Sequence, residues 1–265
     1  MIFLESVGFV KGQSTPCLFY HEPRNVRVVV YGDDFTVLGA QKDLDWFRKE
    51  MTKRYEVEFK ARLGGESGDD KAVFLLNRPI EWDGDGITYE ADQRHVEIMM
   101  RDLGIGNKVR YTPFPYEKPD KSELEHPTPE LSVADASMYR SVVARANYLS
   151  QDRSDRRYAV KELSRGMSTP LEGDWNRLKR LGRYLHQHPR LVQHMKRQQH
   201  TKLLFVWVDT VFAGCARTRK STSGGVITIG DHVFKTWSTT QTTIALSSGE
   251  AEYYGMVKGA ATALG

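Results

Sequence analysis

The amino-acid sequence predicts an α+β fold, in which sheet-forming and helix-forming segments follow one another along the chain. Short runs rich in β-branched and aromatic residues dominate residues 7–90, apolar residues at helical spacing dominate residues 92–200, and strand-like runs return after residue 201. At 265 residues, the chain is long enough for one large domain or for two smaller domains with separate cores.

Residues 7–90 predict a sheet that one helix interrupts. The strand-like runs are CLFYH, VRVVVYG, DFTVLGA, AVFLL and GITYEA, and the last of them begins at the turn residues Asp-Gly-Asp-Gly at 83–86. The helix is predicted at residues 42–54, where Leu44, Phe47 and Met51 recur at helical spacing.

Residues 92–200 predict helices on both sides of a proline-bearing linker at residues 111–130, which is the clearest internal boundary. In the segment GDWNRLKRLGRYLHQ, one apolar stripe and one basic face share a helix. The stripe consists of Trp175, Leu178, Leu181 and Leu185. The basic face consists of Arg177, Lys179, Arg180 and Arg183.

Positive charge is concentrated in the same part of the chain. Residues 139–200 contain 14 Lys or Arg against five acids, a local net charge of +9, so the rest of the chain sums to −5. For one charged helix alone, a solvated surface is the favoured interpretation. Such density over three successive helices makes a nucleic-acid backbone the alternative partner.

The last region predicts strands followed by a helix. The strand-like runs are KLLFVWVD, GGVITIG and HVFKTW, and Gly230 and Asp231 join the last two as a hairpin turn. Ser247 and Glu250 have the spacing of a capping box, with serine at the N-cap and glutamate three residues later. The segment EAEYYGMVKGAATAL then continues as a helix.

Several protein classes are excluded at this stage. An apolar fraction of 40% and a charged fraction of 27% argue against disorder and against a membrane protein. No apolar run approaches the roughly 20 residues that span a bilayer, and the first residues lack the basic start of a secretory signal. We expect an intracellular protein, cytoplasmic or nuclear, without a membrane partner. Cys17 and Cys215 are predicted to be small buried apolar residues.

The stretch RVVVYGDDFTVL places Asp33 and Asp34 between two apolar runs. The runs predict a hairpin with both carboxylates at its tip, where water or a cation reaches them. Paired carboxylates on a rigid turn suit Mg²⁺ and phosphoryl or nucleotidyl transfer. Taken alone, the four residues YGDD favour an ordinary polar turn, because Gly and Asp are turn residues.

The surrounding sequence resembles the copia-type retrotransposon polymerases. Tyr31-Gly32-Asp33-Asp34 resembles the Tyr-x-Asp-Asp motif of reverse transcriptases, although copia-type members commonly carry valine where Gly32 stands. FLESVGFVKGQSTPCLFYH resembles the segment before the motif, and VFLLNRPIEWDGDGITYEADQRHVEIMMRDLGI the segment after it. AGCARTRKSTSGGV and ALSSGEAEYY resemble the ribonuclease H portion of the same family.

This resemblance implies a partial polymerase palm sheet with its hairpin at residues 1–110. It implies the linker and a basic helical thumb or connection at residues 111–200, and the N-terminal part of a truncated ribonuclease H-like α/β domain at residues 201–265. The implied partners are an RNA/DNA primer–template duplex, dNTPs and the remaining segments of the polyprotein. The phosphates of the duplex would be contacted by the Lys and Arg residues of the basic face, which are Arg177, Lys179, Arg180 and Arg183.

The resemblance also implies an RNA-directed DNA polymerase with ribonuclease H activity. Asp33 and Asp34 would be catalytic ligands of Mg²⁺, with Mn²⁺ as a possible substitute. Asp209 and Glu252 would be the first two metal-binding carboxylates of ribonuclease H, whereas Glu250 is assigned to the helix cap. The sequence departs from the family after Asp209, where an aspartate and a tryptophan are usual.

Both implied sites have fewer carboxylates in this sequence than the family uses. The only acids before Asp33 are Glu5 and Glu22, and no acid follows Glu252. A two-metal mechanism needs ligands that bracket both ions. The alternative to an enzyme is therefore a non-catalytic nucleic-acid-binding remnant of such a protein.

Overall fold

The computed structural model describes residues 2–106, 109–199 and 201–264. The chain forms two compact units, one that ends at Lys60 and one that comprises Ala61–Leu264. Helices alternate with three antiparallel sheets, which confirms the α+β prediction.

The smaller unit is a four-stranded antiparallel sheet with two helices, and its strands follow the order β1-β2-β3-β4. A short 3₁₀ helix, Glu22–Arg24, joins β2 to β3. The strands are β1 (Val10–Lys11), β2 (Leu18–His21), β3 (Val26–Tyr31) and β4 (Asp34–Leu38). The helices are α1 (Ile2–Ser6) and α2 (Gln41–Thr52).

One face of this sheet is packed, and the other is exposed. Val26 and Val28 of β3 are fully buried, whereas Val29 between Val28 and Val30 is exposed, as the alternation of a strand requires. Phe47 and Met51 of α2 pack in the same core as the buried valines. Because a slip of one residue would turn the valines outward, this core fixes the register of the β3–β4 hairpin.

Helices build most of the larger unit. Leu178, Leu181 and Leu185 are completely buried in their common core, and Trp175 packs against it, as the predicted apolar stripe requires. A 3₁₀ helix, Ser154–Arg156, precedes α6. The helices are α3 (Arg94–Asp102), α4 (Lys121–Glu125), α5 (Val133–Leu149), α6 (Arg157–Arg165) and α7 (Glu172–Gln187).

The region predicted as one sheet forms two. The strands β5, β6 and β7 belong to the larger unit, and their fourth partner is β8, not a strand of the smaller unit. Residues 192–196 were expected in a helical region, and that expectation is wrong, because β8 pairs along the free edge of β7 with Thr88 opposite His194. The strands are β5 (Ala72–Leu75), β6 (Arg78–Trp82), β7 (Gly86–Glu90) and β8 (Val192–Lys196).

A second sheet of the larger unit has the strand order β11-β10-β9, and α8 covers one of its faces. The elements are β9 (Leu204–Val211), β10 (Thr222–Ile229), β11 (His232–Thr240) and α8 (Ser248–Leu264). Helix and sheet approach closely at Gly259, where a Cβ would lie 2.6 Å from Cγ1 of Val208. The predicted hairpin turn is confirmed, with Gly230 at φ +57°.

The two cysteines do not lie where the sequence predicted. Cys17 is exposed in the turn before β2, and Cys215 is half-buried in the loop between β9 and β10. The expectation of two buried cysteines is therefore wrong. Both lie outside the strands whose alternation would bury a small side chain.

Candidate functional site

The two adjacent aspartates lie at the tip of the β3–β4 hairpin. Tyr31 pairs with Asp34 across the strands, so that Gly32 and Asp33 form a two-residue loop. Gly32 has a φ of +63°, and Asp33 is not among the residues with positive φ. A positive φ at the first loop residue alone is the type II′ pattern, in which glycine is preferred. The turn therefore holds the two carboxylates next to each other.

One of these carboxylates has a partner that the sequence did not indicate. Asp33 is exposed, whereas Asp34 is partly covered and accepts a hydrogen bond from Nζ of Lys60 at 2.7 Å. This hydrogen bond, together with the charge of Asp34, raises the pKa of Lys60. Because 26 residues separate Lys60 from Asp34, no local pattern in the sequence could have shown the pair.

The hairpin fits a divalent cation in part. Carboxylate oxygens are the ligands that Mg²⁺ prefers, and Mg²⁺ is often held by one or two carboxylates, water and the phosphates of a substrate. Among the described residues, no group of three or more His, Cys, Asp or Glu side chains could hold a metal ion. Asp33 and Asp34 therefore suit a cation that a substrate helps to bind, and not a closed protein cage.

Asp209 lies on the face of the β9–β11 sheet that α8 does not cover. Its neighbours Val208 and Thr210 point to α8, where they lie close to the helix glycines. By the alternation of the strand, Asp209 points to the opposite face. There it is exposed and lines a cavity of about 470 Å³ together with Ser154 and Arg157.

Glu252 is half-buried on α8 and does not line the cavity of Asp209. It follows Ala251, which is fully buried where the helix packs. The two carboxylates that the resemblance assigned to one metal site thus lie on elements that face different sides of β9. Their role as metal ligands stays a prediction.

Glu250 serves the helix cap, as the sequence predicted. Oγ of Ser247 accepts a hydrogen bond from the backbone N–H of Glu250 at 3.1 Å. The Glu250 carboxylate in turn accepts from the N–H of Leu246 and from the hydroxyl of Tyr254, each at 2.7 Å. These hydrogen bonds, with that from Tyr254 the larger, lower the pKa of Glu250. The carboxylate is engaged in holding the first turn of α8.

The basic residues of α7 differ in how far they are neutralised. Arg177 is mostly buried and forms ion pairs with Glu123 and with Asp174, the latter at 3.2 Å. Nζ of Lys179 lies 5.7 Å from the ring centre of Trp175 on the same helix. Arg177 is therefore an internal residue of this unit, although its spacing placed it on the predicted basic face.

Arg180 and Arg183 are less completely paired. Arg180 forms an ion pair of 2.7 Å with Glu117 and donates from Nε to the carbonyl of Phe114 at 3.2 Å. Within the described part of the chain, Arg183 has no acidic partner. Burial and the positive charges of Arg180 and Arg110 lower the pKa of Arg183. Arg110 thus joins the basic surface, and the sequence did not indicate it because it precedes the linker and lies outside the basic segment at residues 139–200.

None of the helices in the described ranges combines the length and the apolar character that a bilayer crossing needs.

Two known proteins similar to this chain are polyproteins from transposons. The chain is 36% identical over 258 residues to the retrovirus-related Pol polyprotein from transposon RE2 of Arabidopsis thaliana. The matched residues make up 95% of this chain and 16% of the polyprotein. The chain is 35% identical over 260 residues to the corresponding polyprotein from transposon RE1 of the same plant, with the same two coverages. The chain thus spans about one sixth of the length of either polyprotein.

A further relative is an uncharacterised mitochondrial protein of Arabidopsis thaliana. It is 30% identical over 163 residues, which are 60% of this chain and 64% of that protein. No protein-family model and no solved structure matches the chain.

Proposed function

Because this chain belongs to the family of copia-type retrotransposon Pol polyproteins, we propose that it acts in reverse transcription. In this proposal it is part of an RNA-directed DNA polymerase that binds a primer–template duplex and dNTPs. Asp33 and Asp34 are the residues that we expect to ligate the catalytic Mg²⁺, which Mn²⁺ can replace.

The observation that carries the proposal is the geometry of the β3–β4 hairpin. Its two-residue loop holds Asp33 and Asp34 side by side, with Asp33 exposed and Asp34 at the first position of β4. The core behind the hairpin opposes a one-residue slip of the register, because such a slip would turn buried Val26 and Val28 outward.

The chain contributes ligands and charge to the proposed reaction. A bound Mg²⁺ supplies Lewis acidity and charge neutralisation for transfer of a nucleotidyl group to the primer 3′-hydroxyl. Asp33 and Asp34 provide oxygen ligands, and Lys60 neutralises Asp34 when no cation is bound. Further ligands would come from the dNTP phosphates, from water and from a carboxylate that the described residues do not bring to the hairpin.

Hydrolysis of the RNA strand is the second activity that the family suggests. Asp209 and Glu252 lie on elements that face different sides of β9, so a shared Mg²⁺ is not part of this proposal. We keep Asp209, which faces an open cavity, as the residue of this pair for which contact with a nucleic-acid strand is proposed.

Primer extension tests the polymerase proposal. The chain is incubated with a DNA primer on an RNA template, dNTPs and Mg²⁺, and we expect slow extension that Asp33→Asn abolishes. The matched control is Asp231→Asn, because Gly230 and Asp231 form another two-residue Gly-Asp hairpin with positive φ at glycine. A wild-type chain that binds the duplex but gives no extension above background would overturn the proposal.

A second candidate function is nucleic-acid binding without catalysis. Two observations favour it: no group of three or more His, Cys, Asp or Glu side chains among the described residues could hold a metal ion, and the arginines of α7 are incompletely paired. This candidate predicts affinity for a duplex that falls as salt rises, because Lys and Arg displace counterions from phosphates. Affinity that is absent, or the same at low and high salt, would contradict it.

A further inference from the structure

The start of the linker is fixed against the C-terminal half of α7. The side chain of Gln187 donates to the carbonyl of Arg110 at 3.1 Å and accepts from the N–H of Thr112 at 2.8 Å. Two residues after Thr112, the carbonyl of Phe114 accepts a hydrogen bond from Nε of Arg180 at 3.2 Å. These three hydrogen bonds hold the linker backbone along the helix and bring Arg110 close to Arg183.

The positive charges of Arg110, Arg180 and Arg183 are not fully neutralised by acids in the described ranges. Neither Arg110 nor Arg183 forms an ion pair with an acid among residues 2–106, 109–199 and 201–264. Arg180 pairs with Glu117, whose side chain is 69% exposed. Arg177, three residues before Arg180 on the same helix, is by contrast neutralised by two acids and only 11% exposed.

The positive charges of Arg110 and Arg180 act on Arg183, which has no acidic partner in the described ranges, and this repulsion is unfavourable in the isolated chain. Like charges repel more strongly where burial removes water, and both effects lower the pKa of Arg183. An oxyanion would relieve the repulsion. The planar guanidinium group of arginine matches phosphate with two parallel hydrogen bonds, so phosphate is the anion that suits this cluster.

We propose that Arg110, Arg180 and Arg183, here called the arginine cluster, bind adjacent backbone phosphates of a nucleic-acid duplex, and that Arg177 takes no part. The inference rests on the proposed binding of a primer–template duplex and assigns the contact to particular residues. The inference adds Arg110, which immediately precedes the linker, so that this residue and α7 contact the duplex together. The contact is independent of base sequence, because only phosphates are bound.

The test compares two double variants of the full chain on a 20-base-pair RNA/DNA duplex. Fluorescence anisotropy is measured from 50 to 300 mM salt for the wild type, for Arg110→Gln with Arg183→Gln, and for Arg101→Gln with Lys196→Gln. The control variant, Arg101→Gln with Lys196→Gln, also removes two positive charges, but from exposed positions elsewhere in the same unit. We expect the cluster variant to bind at least about tenfold more weakly at 100 mM salt and its log–log salt slope to fall by about two.

A third variant separates charge from geometry. Arg110→Lys with Arg183→Lys keeps both charges but loses the paired hydrogen bonds, so we expect a salt slope near that of the wild type and a lower affinity. Far-ultraviolet circular dichroism and urea unfolding establish that each variant is folded.

The outcomes distinguish the inference from the function on which it rests. If the wild type does not bind the duplex, the proposed binding function fails. If it binds and the two glutamine variants behave alike, the assignment to the arginine cluster is wrong while duplex binding stands.

Discussion

At the scale of single residues, Gly32 determines the shape of the aspartate hairpin. Its φ of +63° lies in the left-handed region, and a Cβ added there would meet no atom within 4 Å. The cost of a side chain at this position is therefore conformational and not steric. A single substitution of Gly32 therefore measures the cost of the left-handed backbone conformation without a steric clash.

We predict that Gly32→Ala lowers the free energy of unfolding of the smaller unit by about 1 kcal/mol, the cost of a left-handed conformation for an L-residue. Urea unfolding, or hydrogen exchange of the β3 and β4 amides, measures the change. Gly68→Ala is the control, because Gly68 also has open space around its Cβ position but no positive φ. Equal stability of Gly32→Ala and the wild type would show that the turn adopts another type in solution.

Lys60 is the second residue on which the hairpin depends. Its ammonium group occupies one side of the Asp34 carboxylate, so a cation at that carboxylate must displace it. We predict that Lys60→Met tightens Mn²⁺ binding by a few-fold, measured as paramagnetic broadening of the Asp33 and Asp34 amide signals. Lys53→Met serves as control, since Lys53 is an equally exposed lysine that pairs with Glu50 instead. Unchanged Mn²⁺ affinity in Lys60→Met would exclude this competition.

At the scale of secondary structure, the N-terminus of α8 depends on its cap. We predict that Ser247→Ala lowers the free energy of unfolding of the larger unit by about 1 kcal/mol, since the N–H of Glu250 loses its acceptor. Chemical unfolding monitored by circular dichroism measures this. The neighbouring Ser248→Ala changes an exposed serine inside the first turn and should leave stability almost unchanged. A similar loss in both variants would argue against a specific cap.

Local patterns predicted most of these elements. The alternation in β3, the leucine stripe of α7 and the capping box of α8 each involve residues within one or two turns or one strand, and the structure confirms all three. Strand β8 was missed because its pairing partner β7 lies about 100 residues earlier. A free strand edge can recruit a short segment that has no strong preference of its own.

The candidate sites were predictable to a smaller extent. The sequence indicated that Asp33 and Asp34 lie at a hairpin tip, since both strands flank them directly. It did not indicate the Lys60 ion pair, the burial of Arg177 or the place of Arg110 beside α7. Each of these depends on contacts between residues far apart in the chain, which composition and spacing do not encode.

At the scale of the whole molecule, acid should weaken the larger unit. The nearly buried Asp92 accepts hydrogen bonds from the guanidinium group of Arg94, and these hold the pKa of its carboxyl below the usual value near 3.8. A carboxyl whose pKa is lower in the folded than in the unfolded chain adds stability at higher pH. That contribution disappears as pH falls through the two pKa values.

We therefore predict that the urea midpoint of the larger unit falls between pH 5 and pH 3. Asp92→Asn should be less stable than the wild type at pH 7 and should lose less on acidification. Urea titrations at several pH values measure both differences. Parallel pH profiles for Asp92→Asn and the wild type would show that the acid response comes from other carboxyls.

Strand β9 ends the order of its sheet, so that among the described residues one of its edges carries unpaired N–H and C=O groups. Its sequence LFVWVDTV contains one charge, that of Asp209, and Trp207 is 64% exposed. A charge on an open edge discourages strand-to-strand association between molecules. We therefore expect that neutralising Asp209 favours association of the chains as the protein concentration rises.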